Sequence, residues 1–370
     1  MDPLSAKQTI ATLPNKDCRK AIRVMIVDDS LTVRTIFSRM IEGAGGMEVV
    51  GSCGSGESAL MRLDSEPADV VLLDLEMPGM GGMQALPKIL EKTPHTQVLV
   101  VSSLTEEGAE HTLTALSMGA ADTMLKPRPG GFDNDYRGQL LGKIRALGSH
   151  DGSGENGTLT AVAPPRLAKR NIARIKPPQI LAVGASTGGI HALNILLHGL
   201  DPKFMLPILV TQHLPASFIP VFARQLELAS ARHTVIAAKG TEICRGEIVI
   251  APGDGHLVVR RRGERLIADI STEPAVSGCL PSVDPMLTSL AEDLDGHGLA
   301  VILSGMGRDG VEGAASLVEA GGAVLAQDAD SSAVWGMPGA VAKAGLTHAV
   351  APPEKLPAEI LALAGSAAWN

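Results

Sequence analysis

Short apolar runs alternate with longer helical patterns in the first part of this sequence. The runs are RVMIV, MEVVG, DVVLLD, QVLVV and ADTMLK, and between them lie segments such as Leu31 to Gly43, whose apolar residues recur at helical spacing. Repetition of this kind predicts a parallel sheet, because each helix must cross the sheet between neighbouring strands. Residues 23–147 are therefore predicted to form a five-stranded α/β domain with helices on both faces.

A second alternation of the same type occupies residues 179–370. Its strands are predicted at Ile180 to Val183, Leu206 to Thr211, Leu299 to Leu303 and Ala323 to Gln327. Between them, EIVIAPGDGHLVVRRRGERLIADI predicts an antiparallel excursion, with Arg260 to Arg262 at a hairpin tip. This predicts a doubly wound α/β domain with an antiparallel hairpin.

The remaining segments have the composition of connections rather than of packed domains. Residues 148–178 change from Gly and Ser to Pro, Arg and Lys with few large apolar side chains, which predicts a flexible linker. Residues 1–22 are predicted to form a disordered extension without the apolar core of a signal peptide. No apolar run approaches the roughly 18 residues of a membrane span, so no direct membrane insertion is expected.

Composition narrows the functional classes. The net charge of −8 argues against nucleic-acid binding, which depends on clustered Lys and Arg. The four cysteines form no C-x-x-C pair and have no histidine at ligand spacing. That scatter argues against a zinc site or a disulfide framework and favours reduced thiols in the cytoplasm.

Polar side chains follow the predicted strands of the first domain. The first strand ends at Asp28 and Asp29, and the third ends at Asp74, whereas Ser102 and Lys126 end the fourth and fifth. The carboxyl ends of parallel strands meet at one edge, so three carboxylates would repel one another there unless a hard cation neutralised them. The sequence therefore predicts a Mg²⁺ site at this edge.

With these strand-end residues in the order DD, D, S and KP, the first domain resembles the receiver domain of bacterial response regulators, which has a flavodoxin-like fold. This resemblance implies that Asp74 accepts a phosphoryl group. It also implies that Asp28 and Asp29, with Asp74, hold Mg²⁺, and that Ser102 and Lys126 bind the phosphoryl oxygens.

The second domain opens on a candidate nucleophile. Gly184-Ala185-Ser186-Thr187-Gly188 matches G-x-S-x-G after a predicted strand and before the helical stretch IHALNILLHGL, as a nucleophile elbow requires. A phosphate loop would need G-K-[ST], and a dinucleotide turn would need other glycine spacing. A tight turn with an idle serine remains possible on this motif alone.

A nucleophilic serine needs a base and a group that orients the base. His213 follows the apolar run that ends in LVTQ, and Asp309 lies in SGMGRDG after the strand at Leu299 to Leu303. Both are expected at the same sheet edge as Ser186. Their chain order, Ser then His then Asp, differs from the Ser, Asp, His order of α/β-hydrolases, which argues against a small-molecule esterase of that superfamily.

The motifs GASTGG, QHLP, IAPGDGHL, PSVDPM, LSGMGRDG and AQDADSSAVWGMPGAVAKAG resemble the catalytic domain of the chemotaxis protein-glutamate methylesterase family. The resemblance implies phosphorylation-regulated hydrolysis of glutamate γ-methyl esters on chemoreceptor cytoplasmic domains, with release of methanol, and deamidation of receptor glutamines. It implies a chemotaxis histidine kinase as phosphodonor and no cofactor for the esterase reaction. Ser186 would attack, His213 would take its proton and Asp309 would orient the imidazole. A non-enzymatic phospho-dependent adaptor is the rival hypothesis.

Five positions depart from the family patterns. Thr123 stands where many receivers have an aromatic residue, and Gly81 stands where they often have Asp. Leu214 replaces a common Met, and Cys279-Leu280 stand where a basic residue is common.

Three further residues are expected to have structural roles. Asp284 is predicted to cap the helix that follows it, His256 to be structural or to line the pocket, and Trp335 to pack. From the order of the domains, the receiver is expected to lie across the catalytic face until phosphorylation moves it away.

Overall fold

The computed structural model describes residues 21–102, 105–127, 131–149 and 175–369. The predicted N-terminal extension and linker lie almost entirely outside these described residues. Of the helices in the described ranges, none combines the length and the apolar character needed to cross a membrane.

The first domain contains the predicted sheet of five parallel strands in the order β2-β1-β3-β4-β5. The strands are β1 Ile22–Val27, β2 Met47–Cys53, β3 Val70–Asp74, β4 Gln97–Ser102 and β5 Asp122–Leu125. The helices are α1 Leu31–Glu42, α2 Gly56–Ser65, α3 Gly82–Lys92, α4 Glu106–Ser117 and α5 Asn134–Gly148. Because β1, β3 and β4 are neighbours, their carboxyl ends place the predicted acidic and hydroxyl side chains together.

The second domain contains a seven-stranded parallel sheet in the order β15-β14-β13-β6-β7-β10-β8. Its strands are β6 Ile180–Ala185, β7 Ile208–Gln212, β8 Thr234–Ile236, β10 Ile248–Ile250, β13 Gly298–Ile302, β14 Ala323–Gln327 and β15 Ala349–Ala351. Its helices are α6 Gly189–Gly199, α7 Ile219–Ser230, α8 Val283–Glu292, α9 Val311–Glu319, α10 Met337–Lys343 and α11 Leu356–Ala364. The doubly wound α/β prediction is confirmed.

The predicted antiparallel excursion is wrong in its first part. The run at Ile248–Ile250 is β10, which pairs in parallel with β7 and β8 and is buried along its whole length. A continuous apolar run is typical of a buried parallel strand, but three residues were too few to distinguish it from a hairpin strand. The antiparallel sheet contains β9 Thr241–Glu242, β11 His256–Arg262 and β12 Arg265–Ser271, with the arginines at the hairpin tip as predicted.

Glycines fix the path of the chain around β6. A Cβ atom on Gly184 would lie 2.6 Å from Val283 Cγ1, so only glycine lets α8 pack this closely on the strand. Gly188 has a φ of +75°, the left-handed conformation that glycine adopts without strain, and it directly precedes α6. The close packing and the sharp turn together hold the strand-to-helix junction in place.

Candidate active site

The junction between β6 and α6 presents Ser186 at the carboxyl edge of the sheet. The Ser186 backbone N–H donates to the Ser304 carbonyl oxygen at 3.0 Å, and Gln212 Nε2 donates to the Ser186 carbonyl oxygen at 3.0 Å. Ser304 follows β13 and Gln212 ends β7, the two strands on either side of β6. Both neighbouring strands therefore hold the backbone of the serine in place.

His213 and Asp309 form a hydrogen-bonded pair beside this junction. His213 directly follows β7, and its Nε2 lies 2.8 Å from Asp309 Oδ2, so Nδ1 is the ring nitrogen left for Ser186. His213 and Ser186 line the same small cavity. Within the described ranges the Ser186 hydroxyl makes no hydrogen bond, which is the looser geometry that a catalytic contact often has before substrate binds.

Asp309 is buried, with 1% of its surface exposed, and is surrounded by donors. Ser282 Oγ donates to its Oδ1 at 2.5 Å and the Val283 backbone N–H donates to its Oδ2 at 2.7 Å. Burial alone would raise the pKa of Asp309, but the hydrogen bonds from His213, Ser282 and Val283 hold it below the ordinary range. Asp309 therefore remains a carboxylate beside the imidazole.

Ser282 is the supporting residue that sequence reasoning missed. It is the N-cap of α8, and its own backbone N–H donates to His256 Nδ1 at 2.9 Å. His256 is 1% exposed and accepts this bond, which agrees with the structural alternative of the two roles expected for it. The signal that was available is the serine before an apolar helical run in PSVD.

The predicted helix cap at Asp284 is wrong. Ser282 caps α8 and accepts from the Asp284 backbone N–H, whereas Asp284 Oδ1 accepts from the Gly313 N–H in α9 at 2.9 Å. Serine and aspartate are both frequent N-caps, and in PSVD the serine comes first. Burial, together with the charge of Asp309, raises the pKa of Asp284 to about 6.

Trp335 packs as predicted. Its Nε1 donates to the Gln327 carbonyl oxygen at 2.9 Å, and Lys343 Nζ lies 5.6 Å from its ring centroid.

The acidic edge of the first domain has the predicted composition. Carboxylate oxygens of Asp28, Asp29 and Asp74 lie within 4.8 Å of one another, a spacing that allows them to hold one cation. Lys126 Nζ lies 2.6 Å from Asp74 Oδ2 and 2.8 Å from Asp28 Oδ2. Ser102 Oγ is buried and has no hydrogen-bond partner among the described residues. These residues fit a divalent cation together with an anionic group beside Ser102.

Charges within this edge shift two pKa values. Burial raises the pKa of Asp74, although Lys126 opposes the shift. Burial alone would lower the pKa of Lys126, but hydrogen bonds to Asp28 and Asp74 raise it. The lysine therefore remains charged and occupies the space between the two carboxylates.

The first domain reaches the Ser186 junction directly. Thr187 Oγ1 donates to Asp122 Oδ2 at 2.6 Å, and the Gly188 backbone N–H donates to the Ala121 carbonyl oxygen at 2.5 Å. Residues of the first domain that line the cavity around Ser186 are Leu116, Ala120, Ala121 and Asp122. This edge of the first domain therefore covers the candidate nucleophile.

Helix α4 extends the same interface along α6 and α7. Its Glu110 pairs with Arg224 at 2.8 Å, and its Thr114 accepts from Gln225 Nε2 at 3.2 Å. Both partners of the ion pair are about half exposed, so this pair contributes little compared with the contacts at Thr187 and Gly188.

Comparison with known proteins assigns both domains. The response regulator receiver domain family matches residues 24–130, and the CheB methylesterase family matches residues 181–360. A protein-glutamate methylesterase/protein-glutamine glutaminase of Paramagnetospirillum magneticum is 40% identical over 93% of this chain and 96% of its own length. Another of that name, from Caulobacter vibrioides, is 42% identical over 94% of this chain and 100% of its own length.

Among solved structures, the CheB methylesterase catalytic domain of Thermotoga maritima is 34% identical, with a TM-score of 0.49 over 50% of this chain and 98% of its own. The family assignment rests on the 40% and 42% identities of the two full-length relatives. This chain belongs to the protein-glutamate methylesterase/protein-glutamine glutaminase family, with a response regulator receiver as its first domain.

Proposed function

We propose that this chain hydrolyses glutamate γ-methyl esters on the cytoplasmic domains of chemoreceptors, deamidates receptor glutamines, and is activated by receiver phosphorylation. The observation that carries the proposal is Ser186 at a strand-to-helix junction beside the hydrogen-bonded pair of His213 and Asp309. The names of full-length relatives support the substrate class. Because those receptor domains lie in the cytoplasm, the reaction would take place there.

The proposed reaction begins with attack of Ser186 Oγ on the ester carbonyl carbon. His213 Nδ1 takes the hydroxyl proton, and Asp309 stabilises the resulting imidazolium through its 2.8 Å contact with Nε2. The proton then passes to the departing methoxide, which leaves as methanol. Water attacks the acyl-serine by the same proton route and releases the glutamate carboxylate. With a glutamine substrate, the leaving group is ammonia.

The N-terminus of α6 would stabilise the oxyanion of this reaction. Backbone N–H groups at a helix start carry partial positive charge, and the loss of one oxyanion donor costs an enzyme about 10²- to 10³-fold in kcat. The Gly188 N–H is at this position, but Ala121 of the receiver occupies it. We therefore propose that the receiver inhibits the unphosphorylated chain because it competes with the substrate carbonyl for the same backbone donors.

Phosphorylation of Asp74 would release the receiver. A Mg²⁺ ion held by Asp28, Asp29 and Asp74 would neutralise charge on the incoming phosphoryl group, which a chemotaxis histidine kinase supplies. The new phosphoryl oxygens would attract Lys126 away from its present contacts and accept the free Ser102 hydroxyl. Lys126 directly follows β5, whose first residue is Asp122. A shift of this strand would weaken the contact with Thr187.

The test is methanol release from methylated receptor by the full-length chain, with and without acetyl phosphate and Mg²⁺. We expect release that rises on phosphorylation, no release by Ser186→Ala, and basal release without stimulation by Asp74→Asn. If neither the wild type nor Ser186→Ala releases methanol, the esterase proposal is wrong and the phospho-dependent adaptor is favoured. If acetyl phosphate changes nothing, the regulatory part is wrong.

A further inference from the structure

A cysteine lies beside the pair of His213 and Asp309. One ring nitrogen of His213, the Sγ of Cys279 and one carboxylate oxygen of Asp309 all lie within 4.8 Å of one another. The three residues are far apart in the sequence, so their spacing could not predict that they lie together. Imidazole, thiolate and carboxylate together are a ligand set that zinc accepts.

The surroundings of Cys279 carry negative charge. Its Sγ lies within 4.8 Å of a carboxylate oxygen of Asp309, and that carboxylate accepts hydrogen bonds from the Ser282 hydroxyl and the Val283 N–H. Among the described residues, Asp309 pairs with His213 and neither Asp309 nor Asp284 forms an ion pair with Lys or Arg. A divalent cation would add positive charge here and deprotonate the thiol.

The local structure allows the ligands to close on an ion. Zinc binds sulfur at about 2.3 Å and nitrogen or oxygen at about 2.1 Å, so tetrahedral ligand atoms lie roughly 3.5 Å apart. Ligand atoms that lie within 4.8 Å of one another therefore need shifts of no more than about 1 Å to reach this spacing, and the 2.8 Å contact between His213 Nε2 and Asp309 Oδ2 would lengthen. Cys279 is on an irregular segment between β12 and α8, and its neighbours Val276 and Leu280 are 92% and 54% exposed. An exposed, irregular segment gives way more readily than a packed one, so we expect Cys279 to move toward the more buried His213 and Asp309.

We propose that His213, Cys279 and Asp309 form an inhibitory site for a thiophilic divalent metal ion, with Zn²⁺ as the natural probe. On binding, Zn²⁺ forms a bond to sulfur, the thiol proton passes to solvent, and no electrons are transferred. The metal occupies His213 and Asp309, so the imidazole no longer takes a proton from Ser186. Three protein ligands leave the fourth tetrahedral position to water. The inhibition rests on the proposed esterase function, whereas metal binding does not.

Binding is tested first, without reference to activity. Metal-free full-length chain is titrated with Co²⁺, whose thiolate complexes absorb in the near ultraviolet, and then with Zn²⁺ in competition. We expect a thiolate-to-cobalt band in the wild type that Zn²⁺ abolishes, and at least tenfold weaker binding without that band in Cys279→Ser. Cys244→Ser is the matched control, because this exposed cysteine lies outside the cluster and its loss should change nothing. An equal band in Cys279→Ser overturns the proposal.

Inhibition is tested next on the unphosphorylated chain, which needs no Mg²⁺. Zn²⁺ should suppress methanol release by the wild type and by Cys244→Ser, and a chelator should restore it. Methanol release by Cys279→Ser, relative to its own metal-free rate, should resist Zn²⁺ at concentrations at least tenfold higher. Equal Zn²⁺ sensitivity of both serine variants refutes the inhibitory site. A metal-free wild type that binds cobalt yet releases no methanol refutes the esterase proposal and leaves the metal site standing.

Discussion

Asp122→Ala should activate the enzyme without phosphorylation. Asp122 is at the start of β5 in the receiver, and its Oδ2 accepts the Thr187 hydroxyl at 2.6 Å beside the proposed nucleophile. Of the two partners in this contact, Asp122 is the one to substitute, because a change at Thr187 would alter the proposed catalytic junction itself. Removal leaves the Gly188 contact with the Ala121 carbonyl in place, so the receiver should be loosened and not detached.

The expected magnitude follows from the charge on Asp122. A hydrogen bond to a charged group contributes about 1.5 to 3 kcal/mol. Because each 1.4 kcal/mol changes an equilibrium about tenfold, loss of this contact should raise the open fraction roughly 10- to 100-fold. Methanol release by the unphosphorylated chain should rise by the same factor, up to the rate of the phosphorylated wild type. Acetyl phosphate should then stimulate Asp122→Ala correspondingly less.

Asp122 has a second side-chain partner that must be controlled. Its Oδ2 also pairs with Lys143 in α5 at 2.5 Å, so Asp122→Ala removes a receiver ion pair as well. Lys143→Met removes that pair and keeps the Thr187 contact, and it should raise basal release less than threefold. Equal basal rates for Asp122→Ala and wild type, in a protein that acetyl phosphate still activates, would refute the assigned role of this contact.

Three further predictions concern the catalytic domain. Asp309→Asn should lower kcat for methanol release by about 10³-fold or more with little change in KM, because the imidazolium loses its carboxylate. Gly184→Ala should lower the melting temperature, because its new Cβ would meet Val283 Cγ1 at 2.6 Å and such overpacking costs about 1 to 3 kcal/mol; an unchanged melting temperature would contradict this. Asp284 has a folded-state pKa raised to about 6, so the stability it contributes when protonated is present below pH 4 and lost as the pH rises through 6. Asp284→Asn should therefore be more stable than wild type at pH 7.5, on the order of 2 kcal/mol, with the difference vanishing toward pH 4 in denaturant unfolding.

Both sheets, and the positions of the main candidate site residues, were predictable because parallel strands end at a common edge. Ser186 and His213 directly follow β6 and β7, and Asp74 ends β3, so the position of each side chain follows from the strand alone. The shortest strands could not be predicted in this way. β8, β10 and β15 have three residues each, which is too few for a pattern to distinguish them from loops.

The residues around Asp309 could not be predicted, because packing between distant segments brings them together. Ser282 and Cys279 come from the segment before α8, whereas Asp309 precedes α9, and the two helices pack against each other. The wrong cap at Asp284 has the same origin. Its carboxylate is directed to the N-terminal region of α9 by that packing, a contact between two helices that no pattern within PSVD reports.

The receiver interface was predicted only as a general arrangement, and its chemistry explains why sequence could not define it further. One of its two key acceptors is the backbone carbonyl of Ala121, which any residue would provide. Its donors are the Thr187 hydroxyl and the Gly188 N–H, which lie directly before α6 in the region where we propose that the substrate oxyanion binds, so donors that favour catalysis there would also attract the receiver. A contact of a few kcal/mol then suffices for about 100-fold control, and it is weak enough for a single phosphoryl group to reverse. On the proposed mechanism inhibition and catalysis share one helix terminus, so a variant that weakens its donors should weaken both the inhibition by the receiver and the activity of the phosphorylated chain.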